Sequence, residues 1–310
     1  MRKIMLLIAA IVAAVATTAA PAGAGAGAAV ASCWDGGSSE FSSLAALTAP
    51  ANTARGTDIG REPALNEKTE ALPASAKGKG GAKFKATVPT YFHVITDGAE
   101  GNVSDAKVRE QMDVLNLAFS GFYGGAKSGF QFELQGITRT DNAAWFNAPA
   151  GTHPEREMKS TLHQGGFETL NIYSNLAGGF LGYAYLPGLP DSRLFIDGIV
   201  IHWESMPKVS PTFAGRYDLG MTLVHEAGHW VNLEHTFYGG CNAKGDFVDD
   251  TPAMLVPTSR CPEGKDTCPK EPGLDPIHNY MDYSDDACYN QFTPGQVARA
   301  QDSWLYFRAP

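Results

Sequence analysis

The spacing of apolar residues along the middle of the chain predicts several β-strands. β-Branched and aromatic residues from Val88 to Ile95 predict one strand with a proline near its start, and residues 130–137 alternate between apolar and polar as a second. Two further strands are expected at residues 168–173 and 198–202. Strands interrupted by helical patterns indicate a mixed α/β region in this part of the chain.

Helical periodicity separates and follows these strands. After Ser104, a favourable helix N-cap, apolar residues recur at intervals of three and four, namely Val108, Met112, Leu115 and Phe119. A second helical pattern runs over residues 219–232, and a late helix is expected to begin at Thr293-Pro294. Between them, beyond Gly239, the chain is rich in Gly, Pro, Asp and Cys, so we expect an irregular region there.

The start of the chain differs from the rest in both pattern and composition. Two basic residues precede an apolar run from Ile4 to Val15 and then small residues, which is the plan of a secretory signal peptide, predicted over residues 1–24. The alternative is an uncleaved signal anchor, although the run is too short to span a bilayer comfortably. Residues 25–82 are predicted to be a propeptide or flexible lead-in, and residues 83–310 a single folded domain.

Composition and charge then narrow the class of protein. Of 310 residues, 44% are apolar and 18% charged, which is typical of a globular chain and excludes a disordered or fibrous one. The 24 Lys and Arg against 33 Asp and Glu give a formal net charge of −9, which argues against nucleic acid or an anionic membrane as a partner. We expect no membrane span, because no later stretch is long and apolar enough.

Four of the five cysteines lie in the irregular region. They are Cys241, Cys261, Cys268 and Cys288. In the oxidising environment of an exported protein such a cluster favours disulfides, and spacing alone leaves their pairing open. A metal site on these thiolates is the alternative.

The second helical pattern carries the most informative residues. His225 and His229 are four positions apart, so on a helix they point two imidazoles at one point. Neutral imidazole suits zinc, and the His-Glu-x-x-His spacing with Glu226 is a signature of metallopeptidases. Glu226 lies about 100° around the helix from His225, so it can reach a water at the metal without being a ligand.

His235 is a candidate third ligand, but only if the helix ends before it. On a continuous helix a residue six positions after His229 points about 240° away, to the wrong side. The chain must therefore turn sharply, and Asn232 is expected to adopt the left-handed conformation of that turn. Three histidines leave one tetrahedral position open, as in catalytic zinc sites. The alternative is a helix whose histidines are satisfied by solvent or backbone.

The pattern His-Glu-x-x-His-x-x-Asn-x-x-His resembles that of the metzincin clan, which usually has Gly where this chain has Asn232. Three later segments resemble the pappalysin-like metzincins, a group with secreted bacterial and fungal metalloproteases: residues 245–252, 279–286 and 292–296. The resemblance covers roughly residues 85–308. It implies an α/β (α+β) metzincin-like fold, with a twisted mixed sheet, a backing helix and an active-site helix. A small irregular, disulfide-bonded C-terminal subdomain would lie below them.

The resemblance also implies roles for individual residues. Met281 would form an apolar floor beneath the imidazoles, the alternative being a buried gap-filler. Tyr283 would donate a hydrogen bond to the tetrahedral intermediate, the alternative being an ordinary half-buried tyrosine. The family's disulfides imply the pairs Cys241–Cys268 and Cys261–Cys288.

Acidic residues near these motifs have two interpretations each. Asp246, Asp250 and Thr251 bring hard oxygens together, which favours a structural calcium site or else a solvated acidic turn. The pair Asp285-Asp286 would select a basic residue on the primed side of a substrate. The alternative is that it forms an exposed acidic loop.

Together these observations predict a secreted zinc endopeptidase made as a proenzyme and acting on a protein or peptide. Zinc held by the three histidines would activate water, Glu226 would serve as general base, and Tyr283 would help to stabilise the oxyanion. One alternative is a zinc amidase or deacetylase acting on a non-peptide amide; another is a catalytically silent secreted binding module.

Cys33 stands alone far upstream, and three interpretations of it remain open. Its thiolate could occupy the fourth zinc position until the propeptide leaves. The segment Val30-Ala31-Ser32-Cys33 loosely fits a lipid-attachment box, which would anchor the protein. Cys33 could also be an inert thiol in a discarded segment.

Overall fold

A computed structural model of the chain describes residues 72–242 and 245–310. The predicted signal peptide, Cys33 and most of the predicted lead-in lie outside these residues, so the domain limits stay predictions. Within the described ranges, no helix has both the length and the apolar character needed to cross a membrane.

A five-stranded mixed sheet organises the first half of the described chain. Its strands are β1 (Ala86–Thr96), β2 (Phe130–Asp141), β3 (Leu170–Asn175), β4 (Gly182–Ala184) and β5 (Ile199–His202). The order across the sheet is β2-β1-β3-β5-β4. Every neighbouring pair is parallel except β4 and β5, which are antiparallel, so β4 is an antiparallel edge strand.

Five α-helices within the described residues accompany the sheet. They are α1 (Asp105–Phe119), α2 (Ala143–Phe146), α3 (His153–Leu162), α4 (Met221–Trp230) and α5 (Pro294–Phe307). The predicted caps are present: the Ser104 side chain accepts from the backbone N–H of Lys107, and Thr293 forms a reciprocal capping box with Gln296. The four predicted strands and three predicted helices are therefore confirmed, with ends shifted by a few residues.

Two apolar clusters lie on opposite faces of the sheet. Val88, Phe92 and Val94 of β1 pack against α1, α4 and α5. Ile95, which points the other way, belongs to a second cluster that includes residues of α2 and α3. Because both faces are covered, β3 is buried along its whole length, as is typical of a central parallel strand. The mixed α/β fold expected from the sequence is thereby confirmed in its main layers.

The chain between α4 and α5 is irregular, as predicted. Apart from a short 3₁₀ turn at Asp286–Cys288 and one isolated bridge, its described residues form no helix or strand. Two disulfides, Cys241–Cys268 and Cys261–Cys288, cross-link this segment with the implied pairing. Since the four sulfurs are bonded in pairs, the alternative of a metal site on free thiolates is not supported, although His278 lies beside the second disulfide.

The end of the predicted lead-in is bound to the last helix. The backbone N–H groups of Gly78, Lys79 and Gly80 donate to the Asp302 carboxylate over 2.6–2.7 Å. Gly81 donates to Gln301 in the same way. A glycine-rich backbone that encircles a carboxylate cannot be recognised from composition alone, which is why these residues were expected to be flexible.

Candidate active site

Helix α4 carries His225, Glu226 and His229 on buried positions beside the sheet. Its N-cap residue, Gly220, has no side chain to cap the helix. The distant Asp286 supplies the cap instead, because its Oδ2 accepts from the backbone N–H of Met221, the first residue of the helix, at 3.4 Å and from that of Leu219 just before it at 2.8 Å. Burial raises the pKa of the Asp286 carboxyl to about 7.

The helix ends in the turn that the sequence predicted. Asn232 has a φ of 75°, in the left-handed region. The N–H of Asn232 donates to the carbonyl of His229 at 2.8 Å, and that of Leu233 donates to Gly228 at 2.9 Å. These two bonds form a Schellman motif, which reverses the chain. As a result, the imidazole of His235 returns to face those of His225 and His229.

The three imidazoles form a set of donors that fits zinc. Their Nε2 atoms lie 3.1–3.2 Å from one another. Tetrahedral coordination at about 2.0–2.1 Å per bond would separate such nitrogens by about 3.3–3.4 Å. Nδ1 of His225 donates to the carbonyl of Tyr280, and Nδ1 of His229 donates to that of Leu233. The proton therefore lies on Nδ1 in both rings, which places a lone pair on each Nε2, the form of imidazole that binds a metal.

Met281 lies against the active-site helix. It is fully buried, and a Cβ added at Gly228 would overlap its sulfur. Its carbonyl accepts from the N–H of Thr236, the residue after the third histidine. Met281 therefore contacts both Gly228 of α4, the residue before His229, and Thr236, the residue after His235.

Aromatic side chains surround the third histidine. The ring of the half-buried Tyr283 lies 4.9 Å from His235 and 5.6 Å from His225 between centroids. Phe237 stacks on His235 at 4.7 Å with the rings nearly parallel, and it also contacts Tyr283 at 5.0 Å. Phe237 was not predicted from the sequence, where its one signal is an aromatic residue two positions after a candidate ligand.

Strand β4 passes directly beside Glu226. A Cβ added at Gly182 would lie 2.8 Å from Oε1 of Glu226, so any larger residue at this position would displace the Glu226 side chain. Strand β4 could not be predicted from the sequence, because a three-residue strand is too short to show a period.

The acidic residues of the candidate calcium site have different surroundings. Asp250 is bound to the start of α5, since its carboxylate accepts from the Thr293 hydroxyl and the Gly295 N–H. Asp246 is buried, and burial raises the pKa of its carboxyl to about 7. The alternative of a solvated turn is therefore wrong for Asp246, while calcium binding at Asp246, Asp250 and Thr251 stays a prediction.

The pair after Met281 is also not an exposed acidic loop. Asp285 accepts two hydrogen bonds from the guanidinium of Arg216, at 3.1 and 2.9 Å. Asp286 is buried at the cap of α4. Both carboxylates are thus engaged within the chain.

Three histidines on a short helix and its following turn, with a glutamate between them, define the class of the metallopeptidases. The family model described as pregnancy-associated plasma protein-A matches residues 212–304. An extracellular metalloprotease of Pyricularia oryzae is 46% identical over 243 residues, which cover 76% of this chain and 81% of that protein. One of Arthroderma benhamiae is 41% identical over 281 residues, covering 87% and 90%.

Solved structures agree with these relatives. Promirolysin of Tannerella forsythia superposes with a TM-score of 0.62 at 28% identity and covers 72% of this chain and 81% of its own. Mature mirolysin in complex with a cleaved peptide gives 0.59 at 29% identity, covering 71% and 92%. The chain belongs to the pappalysin family, and it is a metallopeptidase with the metzincin-like fold of that group.

Proposed function

We propose that this chain is a secreted zinc endopeptidase, made as a proenzyme, with Glu226 as its general base. The observation that carries the proposal is the convergence of three Nε2 atoms, each within 3.2 Å of the other two, beside a buried glutamate. His225, His229 and His235 would hold the zinc. When bound there, zinc supplies a Lewis acid that lowers the pKa of water toward neutrality and polarises a carbonyl.

The chain's own groups would move the proton and stabilise charge. Glu226 would accept the proton of the attacking water and pass it to the leaving amine of the cleaved peptide bond. Its burial in a site of low dielectric strengthens its interaction with charged groups there. The ring of Tyr283 lies beside His235 and His225, and its hydroxyl would donate a hydrogen bond to the developing oxyanion.

The edge strand favours an extended peptide over a small non-peptide amide. β4 lies at the edge of the sheet, and its Gly182 is next to Glu226. An extended chain can add to such an edge through backbone hydrogen bonds, which would place a peptide bond along the general base. This supports an endopeptidase rather than an amidase or deacetylase, and the presence of Glu226 weighs against a silent binding module.

Export is supported by three features. The relatives that the chain matches are named extracellular metalloproteases. The sequence begins with the plan of a signal peptide, and the described region contains two disulfides.

The metal is tested by removing and restoring it. Phenanthroline should abolish peptide hydrolysis by the purified protein, and added zinc should restore it. Activity that survives verified metal removal would contradict the proposal. A peptide library assayed beside acetylated sugars separates the endopeptidase from the amidase and deacetylase alternatives.

The general base is tested by Glu226→Gln, which keeps the side chain's shape and removes its basicity. Turnover should fall by a factor on the order of 10² to 10⁴ while zinc stays bound near one equivalent. Glu110→Gln is a matched control, because Glu110 is exposed on α1, where its carboxylate pairs with Lys107. Turnover retained in Glu226→Gln would rule out its role as the base.

A further inference from the structure

Two arginines near the C-terminus contact the turn that leads from His229 to His235. Nε of Arg299, on α5, donates to the carbonyl of Asn232 at 2.7 Å. Nε of Arg308, which ends α5, donates to the carbonyl of Trp230 at 2.9 Å. Both guanidinium-bearing residues are buried. The reaction described above uses neither of them.

These carbonyls need donors from outside the helix. The last carbonyls of a helix have no partner within it. The Schellman motif satisfies Gly228 and His229, but Trp230 lies at the helix end and Asn232 lies beyond it. A buried carbonyl without a partner is costly, and a cation at a helix C-terminus also interacts favourably with the helix dipole.

Arg308 is itself held firmly. Its two terminal nitrogens bind the two oxygens of the buried Asp197 at 2.7 and 3.1 Å. Asp197 also accepts from the indole N–H of Trp230 at 3.0 Å. The Arg308 guanidinium lies 3.7 Å from the centroid of the Trp230 ring. Trp230 is thus fixed through its carbonyl, its indole nitrogen and its ring face.

Arg299 connects the turn to the irregular region. Its guanidinium lies 5.2 Å from the ring centroid of Phe247. Burial lowers the pKa of Arg299, and the negative charges of Glu234 and Asp246 oppose that shift. Glu234 immediately precedes His235, so Arg299 interacts with the chain on both sides of Leu233.

We propose that Arg299 and Arg308 are positioning residues for the third metal ligand. They hold the carbonyls of Asn232 and Trp230, so that the turn points His235 at His225 and His229. The inference rests on the proposed zinc site. The two ligands on α4 are placed by the helix, whereas the position of His235 depends on the turn after it. Without the arginines the turn gains conformational freedom, and binding a metal must then restrict it again.

The proposal is tested with variants of Arg299 in the purified protein with residues 78–80 retained, because the control below uses the contacts of those residues. Arg299→Met removes the charge and the hydrogen bond, and Arg299→Lys keeps the charge but loses the planar donor. Zinc affinity is measured by competition with a chelator, ligand geometry by the visible spectrum of the cobalt-substituted enzyme, and fold stability by melting of the metal-free enzyme. Arg308→Lys is measured in parallel, because Arg308→Met would leave Asp197 buried without its partner.

The matched control is Asp302→Asn. Asp302 lies on the same helix but binds the backbone of Gly78, Lys79 and Gly80 instead of the turn. Asp302→Asn should lower the metal-free melting temperature and leave zinc affinity and the cobalt spectrum unchanged.

Arg299→Met should weaken zinc binding by a factor on the order of 10 to 100 and alter the cobalt spectrum. The zinc affinity of Arg299→Lys should lie between that of Arg299→Met and that of the unchanged protein. If Arg299→Met fails to fold, the zinc affinity and cobalt spectrum of Arg299→Lys decide the question. Zinc affinity and cobalt spectra equal to the unchanged protein, with only a lower melting temperature, would overturn the inference. If the unchanged protein itself bound no zinc, the proposed function would fail first, and the two failures are therefore distinguishable.

Discussion

The sheet region, residues 86–202, and the cross-linked region, residues 236–290, are held together by different forces. In the sheet region, parallel strands are hydrogen-bonded along their length, and apolar side chains such as Phe92 and Ile172 are fully buried. The cross-linked region has two disulfides and buried carboxylates that accept from nearby backbone and side chains. Asp275 accepts from Thr267, and Asp282 accepts from the N–H of Thr258.

The candidate site lies where the two regions meet. His225, Glu226 and His229 lie on α4, whose apolar side packs in the same cluster as the sheet. His235 lies at the entrance to the cross-linked region, and Tyr283 lies within it. The helix packed on the sheet therefore carries two of the proposed ligands and the proposed base, whereas the third proposed ligand and Tyr283 lie at or within the cross-linked region. A change in the sheet region should therefore affect the site differently from a change in the cross-linked region.

The largest effect is expected from His235→Ala. This change removes the ligand beyond the helix, so both zinc affinity and peptide hydrolysis should be lost, the latter by at least the factor of about 10² expected for the loss of the base. The cross-linked region should also loosen, because metal binding couples to folding. Zinc content by elemental analysis, measured beside hydrolysis, checks the result. A His235→Ala protein with full activity would contradict the division of ligands between the regions.

Reducing the disulfides should distinguish the two regions directly. Each bridge joins residues 27 positions apart. In the chain-entropy model, closing one such loop stabilises the folded protein by about 3.5 kcal/mol. Because the two loops interleave, together they stabilise it by less than twice that amount. Hydrogen exchange after treatment with a reductant should show residues 241–288 losing protection before β1 and β3. Simultaneous loss of protection in both regions would mean that they unfold as one unit.

The buried cap between the regions should make stability depend on pH. Because the pKa of Asp286 is raised from 3.8 to about 7 in the folded protein, its contribution to stability is present below pH 4 and is lost as the pH rises toward 7. Asp286→Asn keeps an acceptor for the Leu219 N–H and cannot ionise. As the pH rises from 4 to 7, the free energy of unfolding of Asp286→Asn should therefore increase relative to that of the unchanged protein. Urea unfolding at several pH values measures this difference. A difference independent of pH would show that Asp286 is not the titrating group.

A change confined to the sheet region should lower stability without affecting the metal. Ser104→Ala removes the cap of α1 and should cost about 1 kcal/mol of unfolding free energy. Zinc content and turnover at low temperature should remain those of the unchanged protein. Loss of zinc in Ser104→Ala would mean that zinc binding depends on the stability of the whole fold.

The smallest effect is expected from Asn232→Gly at the junction. Glycine adopts the left-handed conformation at φ 75° without strain, so stability should change by only a few tenths of a kcal/mol and zinc content should not change. Asn232→Ala is the contrasting variant and should cost roughly 1–2 kcal/mol, because alanine is strained there. Equal effects of the two substitutions would argue against the conformational explanation.

Features governed by neighbours within a few positions could be predicted from the sequence. The strands at Val88 to Ile95 and at residues 130–137, the cap at Ser104 and the left-handed Asn232 all follow from local preference and spacing. The convergence of the three histidines also follows, because helix geometry and one turn relate them. The disulfide pairing could not be derived in this way and was implied only by the family resemblance.

Contacts between distant parts of the chain were decided by tertiary structure alone. Nothing near Asp286 in the sequence indicates that it caps α4, and nothing near Arg299 or Arg308 indicates the carbonyls that they bind. Strand β4 is equally hidden, since three residues have no period and its place beside Glu226 depends on its pairing with β5. Local propensity acts over a few residues, whereas these partners become neighbours only when the sheet, α4 and α5 pack around one core.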